Sequence, residues 1–135
     1  MASRSDTPID FDPVQAVRDY HAAIAALDFS AISAFFADDA VYRSAGTGGS
    51  IKGRAAILDA FRRYFEEFPD QRAEDSLVER VSPRAARSLW SLVATSRHSG
   101  LVSRRSGEET VTFDAKGRIV RVDVDDRETE TPGAL

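Results

Sequence analysis

Few side chains in this sequence can move a proton or orient a ligand, and they lie far apart along the chain. The histidines, His21 and His98, are the side chains whose ordinary titration falls near neutrality, so each is a candidate acid or base. Neither comes with the acidic ligand set of a metal centre, and the chain has no cysteine, so neither a metal site nor a disulfide is expected. Glu109 stands in an alternating run: Glu109, Val111 and Phe113 share one strand face, while Glu108, Thr110 and Thr112 share the other. If the Val111 and Phe113 face looks inward, Glu109 is a carboxyl in apolar surroundings, where its pKa rises. The alternative is a solvated carboxylate paired with Arg104 or Arg105. Asp123 lies with Arg121 and Asp125 on the polar face of a strand whose other face carries Val120, Val122 and Val124. Tyr42 and Trp90 alternate with smaller residues, so each presents a ring to a pocket or packs the core. The segment Gly46-Thr47-Gly48-Gly49 lacks the Lys and the spacing of a phosphate loop, and reads as a turn or lid beside a pocket mouth.

The elements that must position these groups are legible in the spacing. Residues 1–11 show no period and read as a tail. Asp12-Pro13-Val14-Gln15 reads as a helix start, with Asp12 accepting from free amides and Gln15 placed to reach back. Val14, Val17, His21 and Ile24 give that helix an apolar face to about Leu27. A second short helix carries Ile32, Phe35 and Phe36, with Ser30 as its cap, and ends in an Asp38-Asp39 corner. Residues 40–44 alternate as a strand. A third helix repeats Ile57, Phe61, Tyr64, Phe65 and Phe68 on one side and stops at Pro69. Four β-rich stretches follow, at 76–81, 87–102, 108–113 and 118–125, with turns at Ser82-Pro83, Arg104 to Gly107 and Asp114 to Gly117. Short turns between successive strands imply antiparallel pairing, and helices followed by strands make an α+β order. Residues 12–126 form one domain on this reading, with a flexible tail at 127–135.

With 135 residues, 42% of them apolar, the chain can bury an adequate core. Its net charge of −4 argues against nucleic acid or an anionic membrane as the main partner. No apolar run approaches the ~20 residues of a membrane span, and no leader pattern opens the sequence, so a cytoplasmic location is expected.

The run Val17 to Asp28, Ile32, Phe35-Phe36-Ala37-Asp38-Asp39-Ala40-Val41-Tyr42 and Lys52-Gly53-Arg54-Ala55-Ala56-Ile57 resembles the opening of the nuclear transport factor 2-like (NTF2-like) superfamily. Asp114 to Val120 resembles the turn before that fold's last strand. The closest textures are the SnoaL-like polyketide cyclases and ketosteroid isomerase. The resemblance spans residues 12–126 and implies a cystatin-like cone: three N-terminal helices packed on a strongly curved, mainly antiparallel sheet around an apolar pocket, usually as a homodimer. The superfamily spans isomerases, cyclases, hydrolases and binding modules, so the fold alone does not give the function.

Ketosteroid isomerase moves a proton with an Asp, while a Tyr and a neutral acid hold the enolate oxygen. The resemblance puts Tyr20 at the donor tyrosine and Glu109 at the neutral acid, but Ser44 stands where the proton-moving Asp belongs. An unassisted serine is too weak a base for that task, which leaves His21, His98 or Asp123 as substitutes. His98 resembles a pocket-lining His of the cyclases. Arg97 with Asp123 resembles the Arg-Asp arrangement of the epoxide-hydrolase branch.

The expectation is therefore a cofactor-free cone that binds a small, apolar, carbonyl-bearing molecule of steroid or polyketide type. Tyr20 and Glu109 hold the oxygen, Tyr42, Ser44, Phe61 and Trp90 line the walls, and His98 or Asp123 moves a proton if there is isomerase or cyclase chemistry. The alternative is a non-catalytic ligand-binding or protein-interaction module of the same fold, which Ser44 favours.

Overall fold

Each helix starts at a side-chain or glycine cap, and the structure locates these caps closely. It is a computed structural model that describes residues 11–44 and 49–130, the last five by their backbone alone. Helix α1 (Pro13–Ala25) opens on Asp12, whose Oδ1 accepts from the amides of Val14 at 3.0 Å and Gln15 at 3.3 Å. Gln15 does not reach back; its amide donates forward to Asp19. The helix closes with Leu27 N–H on the Ile24 carbonyl and Asp28 N–H on the Ala23 carbonyl, the Schellman pattern. That pattern puts Leu27 in the left-handed region, at φ 55°. Helix α2 (Phe29–Phe35) is capped by Asp28, which accepts from Ala31 N–H, rather than by Ser30. The difference of two residues follows from the tight corner, where Asp28 already stands outside the helix at φ −94° and ψ 89°.

Strand β1 (Phe36–Ser44) begins directly after α2, so Phe36 is its first residue and Asp38 and Asp39 are exposed strand residues, not a corner. Asp38 pairs with Arg54 at 2.7 Å. Strand β2 (Gly49–Lys52) leads into α3 (Arg54–Glu67), which stops before Phe68-Pro69 as expected. The strands β3 (Arg72–Ser82), β4 (Ala85–Thr95), β5 (Val102–Phe113) and β6 (Ile119–Glu130) complete the chain. The turn expected at Arg104 to Gly107 lies instead at Arg97 to Gly100, where Ser96 Oγ accepts from the amides of His98 and Ser99. Gly107 is an interior strand residue paired with Trp90. Strand β6 continues past Asp125, where it was expected to stop, to Glu130.

All six strands form one sheet in the order β2-β1-β6-β5-β4-β3. Neighbours are antiparallel except β1 and β6, which run parallel and bring the chain's first and last strands together. The result is the mixed, mainly antiparallel curved sheet with three helices of an α+β cone. Its core joins Val17 and Tyr20 of α1, Ile32, Phe36, Ile57 and Phe65 to Val111, Phe113, Ile119 and Val122 of the sheet. Phe11, counted with the tail in the sequence, packs edge-on against Phe113 at 5.3 Å. Its ring also covers Gly117, whose φ of 81° the β5–β6 turn requires.

Candidate functional site

Helix α1 packs over β3 and β4 on the sheet's concave side, which places His21 above the strands. Two carboxylates meet it there. His21 Nδ1 lies 2.7 Å from Asp75 Oδ2, and its Nε2 lies 2.6 Å from Glu109 Oε1. A ring with an acceptor at each nitrogen donates twice only as the imidazolium. Burial by itself would lower the imidazole pKa, but hydrogen bonds to Asp75 and Glu109 outweigh it and raise the value from 6.5 to about 10. His21 is therefore cationic at neutral pH and cannot serve as the base for which it was a candidate. Each carboxylate keeps its second oxygen, and neither has another hydrogen bond among the described residues.

This triad lines a cavity of about 230 Å³. Tyr42, Ile51, Phe61, Phe65, Trp90 and Val124 supply apolar surface around it. Phe61 of α3 sets that wall by stacking on Phe65 at 5.9 Å and meeting Tyr42 edge-on at 5.7 Å. Tyr42, Ser44, Tyr64 and Arg105 also belong to the lining. The four wall residues read from the sequence, Tyr42, Ser44, Phe61 and Trp90, thus meet in one cavity with Glu109.

The other expected residues stand elsewhere. Tyr20 is fully buried behind His21, with its ring edge-on to Phe36, and does not line the cavity. Its hydroxyl has no hydrogen-bond partner among the described residues. Burial first, and then the nearby Tyr42 and Glu109, push its phenol well above the ordinary value. A residue one position from His21 on a helix points about 100° away from it, which is why Tyr20 enters the core while His21 faces the strands. His98 sits exposed in the β4–β5 turn. Asp123 lies on the opposite sheet face from Val122 and Val124, paired with Arg43 at 2.9 Å and Arg121 at 2.8 Å. Partial burial opposes ionisation there, but those two arginines hold its carboxyl below the usual carboxylate range. Arg97 is exposed beside His98 and does not meet Asp123. Of the expected lid or turn, Gly46 to Gly49, residues 46–48 lie outside the described residues and Gly49 opens β2. Among the described residues no group of His, Asp and Glu is arranged to hold a metal ion.

Asp75 is the residue the sequence reading missed. In β3, Asp75 pairs with Trp90 and Leu77 with Leu89, so Ser76 is an extra, bulged residue. The bulge turns Ala73 and Asp75 toward the cavity and lets Val78 enter the core. Simple alternation back from Val78 would instead point Asp75 to solvent. Glu109, by contrast, obeys parity: Glu109, Val111 and Phe113 are all buried on one face. Its surroundings differ from the expected apolar ones, because His21 occupies one oxygen.

A family model described as a SnoaL-like domain matches residues 17–122. No curated protein matches the chain at a significant level. Among solved structures, a Mycobacterium tuberculosis protein in complex with estradiol-17beta-hemisuccinate superposes with a TM-score of 0.74 at 20% identity, covering 83% of this chain and 91% of that one. A steroid delta-isomerase from Pseudomonas aeruginosa gives a TM-score of 0.66 at 21% identity, with coverages of 90% and 84%. The epoxide hydrolase/cyclase-like enzyme SalBIII, of pyran ring formation in salinomycin, gives 0.72 at 15% identity, with coverages of 84% and 88%. At these identities the likeness is one of fold.

Proposed function

The chain belongs to the SnoaL-like domain family, and from that premise we propose that its cavity binds a small, mostly apolar, oxygen-bearing molecule and moves a proton on it. The observation that carries this reading is the Asp75–His21–Glu109 triad set in an otherwise largely apolar wall. Steroid and polyether relatives of the same fold support a ligand of polycyclic or polyketide type. A ligand of full steroid size needs the mouth to open, because about 230 Å³ is below the roughly 300–1,000 Å³ of most small-molecule sites.

In this reading Glu109 is the acid–base residue. Its second oxygen takes a proton from a carbon beside a carbonyl and returns it to another position of the same molecule, which balances the isomerisation without another reactant. Asp75 is the second carboxylate within reach and assists where the proton must travel. His21 is a positioning residue. Both its N–H groups are committed, so it fixes the two carboxylates and its charge offsets theirs. The enolate oxygen faces the hydroxyl-bearing side of the lining, Tyr42 and Ser44 of β1.

The test is turnover of a panel of β,γ-unsaturated ketones, followed by absorbance of the conjugated product. Glu109→Gln is expected to remove most of the rate, on the order of 10²-fold or more, while circular dichroism shows a retained fold. Equal rates in Glu109→Gln and the parent protein would refute the assignment. Ser44 in the lining favours a second reading, binding without chemistry. That reading is supported if the ligands raise Tm and none is turned over.

A further inference from the structure

The triad is not electrically neutral. Its two hydrogen bonds need two protons, and with both on the ring the His21 cation stands against the anions of Asp75 and Glu109. One net negative charge results, and moving a proton from the ring to either carboxylate leaves it unchanged. That charge is largely enclosed: the Asp75 side chain is 15% exposed and that of Glu109 9%. Arg105 also lines the cavity, but no hydrogen bond or ion pair joins it to either carboxylate. It borders the open groove outside as well, and stands four residues from Glu109, ~13 Å along β5. A neutral molecule filling the cavity would therefore strip solvent from an uncompensated charge, which is costly. A cationic one would compensate it, because the second oxygens of both carboxylates are uncommitted acceptors. The walls favour the same sign. Tyr42, Phe61, Tyr64, Phe65 and Trp90 line the cavity, and the face of an aromatic ring attracts a cation, that of Trp most strongly. Trp90 is the register partner of Asp75 on the neighbouring strand, so their side chains start ~5 Å apart on one sheet face. A cation on the second oxygen of Asp75 thus lies beside the indole.

We propose that the natural ligand is a protonated amine, its ammonium hydrogen-bonded to Asp75 beside the Trp90 ring and its apolar body against Tyr42 and Phe61. An alkyl amine is protonated at neutral pH, as a lysine side chain is. Asp75 is then a specificity-determining residue: it selects the ligand's charge and leaves the second oxygen of Glu109 to the chemistry. The proposal rests on the reading of the cavity as a ligand site. Joined to the proton transfer proposed above, it makes the substrate class an amino ketone, with the nitrogen toward Asp75 and the carbonyl side toward Glu109.

The experiment is calorimetric titration of the full chain with three probes of one shape: 4-phenylbenzylamine, 4-phenylbenzyl alcohol and 4-biphenylcarboxylate. It is run at pH 7 and about 0.15 M salt, which screens the chain's overall negative charge. The amine is expected to bind about tenfold or more tightly than the alcohol, and the carboxylate more weakly than either. Asp75→Asn keeps the side chain's shape and removes its charge, and is expected to bring the amine within about twofold of the alcohol. Trp90→Leu leaves the triad in place and is expected to weaken the amine about threefold more than the alcohol; it carries the test if circular dichroism shows that Asp75→Asn does not fold. Equal affinity of amine and alcohol, a preference that survives Asp75→Asn, or an equal loss for both probes in Trp90→Leu would each overturn the proposal. If none of the three probes binds, both this proposal and the assignment of the cavity as a ligand site fall. Turnover of neutral ketones with no preference for the amine removes the amine and keeps the proton transfer, whereas the expected order without ketone turnover supports the amine and removes only the chemistry.

Discussion

Removing the cation from between the two carboxylates should change how stability depends on pH. His21 titrates at about 10 in the folded protein against 6.5 when unperturbed. Because the folded value is raised, the stabilisation is fully present below about pH 6.5 and is lost as pH rises toward 10. At roughly 1.4 kcal/mol per pH unit, that interval is worth on the order of 4–5 kcal/mol. Such a loss is a large share of the ~5–15 kcal/mol that stabilises a domain. The His21 side chain is 22% exposed, so solvent screening trims the figure little. The assay is urea unfolding of the parent protein and His21→Gln at half-unit steps from pH 6 to 10. Groups away from the triad titrate alike in both, so the difference between the two curves reports His21 together with the two carboxylates it holds. That difference should shrink by several kcal/mol across the series, with a slope close to one proton in its middle. Parallel curves would refute the argument, because they would mean that His21 binds no extra proton on folding.

Three further outcomes follow from single residues. Tyr20→Phe deletes a buried hydroxyl that has no partner and should leave stability unchanged or raise it by about 1 kcal/mol; a loss above that in thermal melts would show that the hydroxyl is satisfied after all. Leu27→Gly relieves the left-handed backbone at the end of α1 and should raise the urea midpoint by an amount worth about 0.5–1 kcal/mol, the strain relieved less the entropy of glycine. A lower midpoint would contradict it. Trp90 is the chain's single tryptophan and lines the cavity, so 4-phenylphenol should change its fluorescence saturably, and an unresponsive spectrum at saturation would place the ligand elsewhere.

What could be read from the sequence was what depends on local spacing. The apolar stripe of α3 follows from a period of 3.6 and the cap at Asp12 from the residue types at the helix start, and the structure bears out both. Parity offered a buried Glu109 beside a solvated one, and the structure has it buried. The inward placing of Tyr42, Phe61 and Trp90 rests on the same logic. What escaped depends on partners far along the chain. Asp75 faces inward because Ser76 is bulged, and a bulge is fixed by the register against β4, not by the local pattern. Gly107 suggested a turn because it lacks a side chain, yet it lies mid-strand opposite the bulky Trp90. The parallel pairing of β1 with β6 joins segments some eighty residues apart, as Arg43 with Asp123 shows, and no turn signal marks it. Tyr20 and His21 are neighbours on one helix and point about 100° apart, so the rotation of the helix about its axis decides which faces the strands. Only packing sets that rotation.

The state of His21 itself is the point on which the site depends, and nitrogen-15 NMR of the imidazole rings reads it directly. Spectra recorded from pH 6 to 11, with the His21→Gln variant assigning the resonance, should show both ring nitrogens protonated at pH 8 and a midpoint near 10. A neutral ring at pH 8, with a midpoint near the ordinary 6.5, would mean that the carboxylates do not clamp it, and the proton-transfer site would lose its foundation.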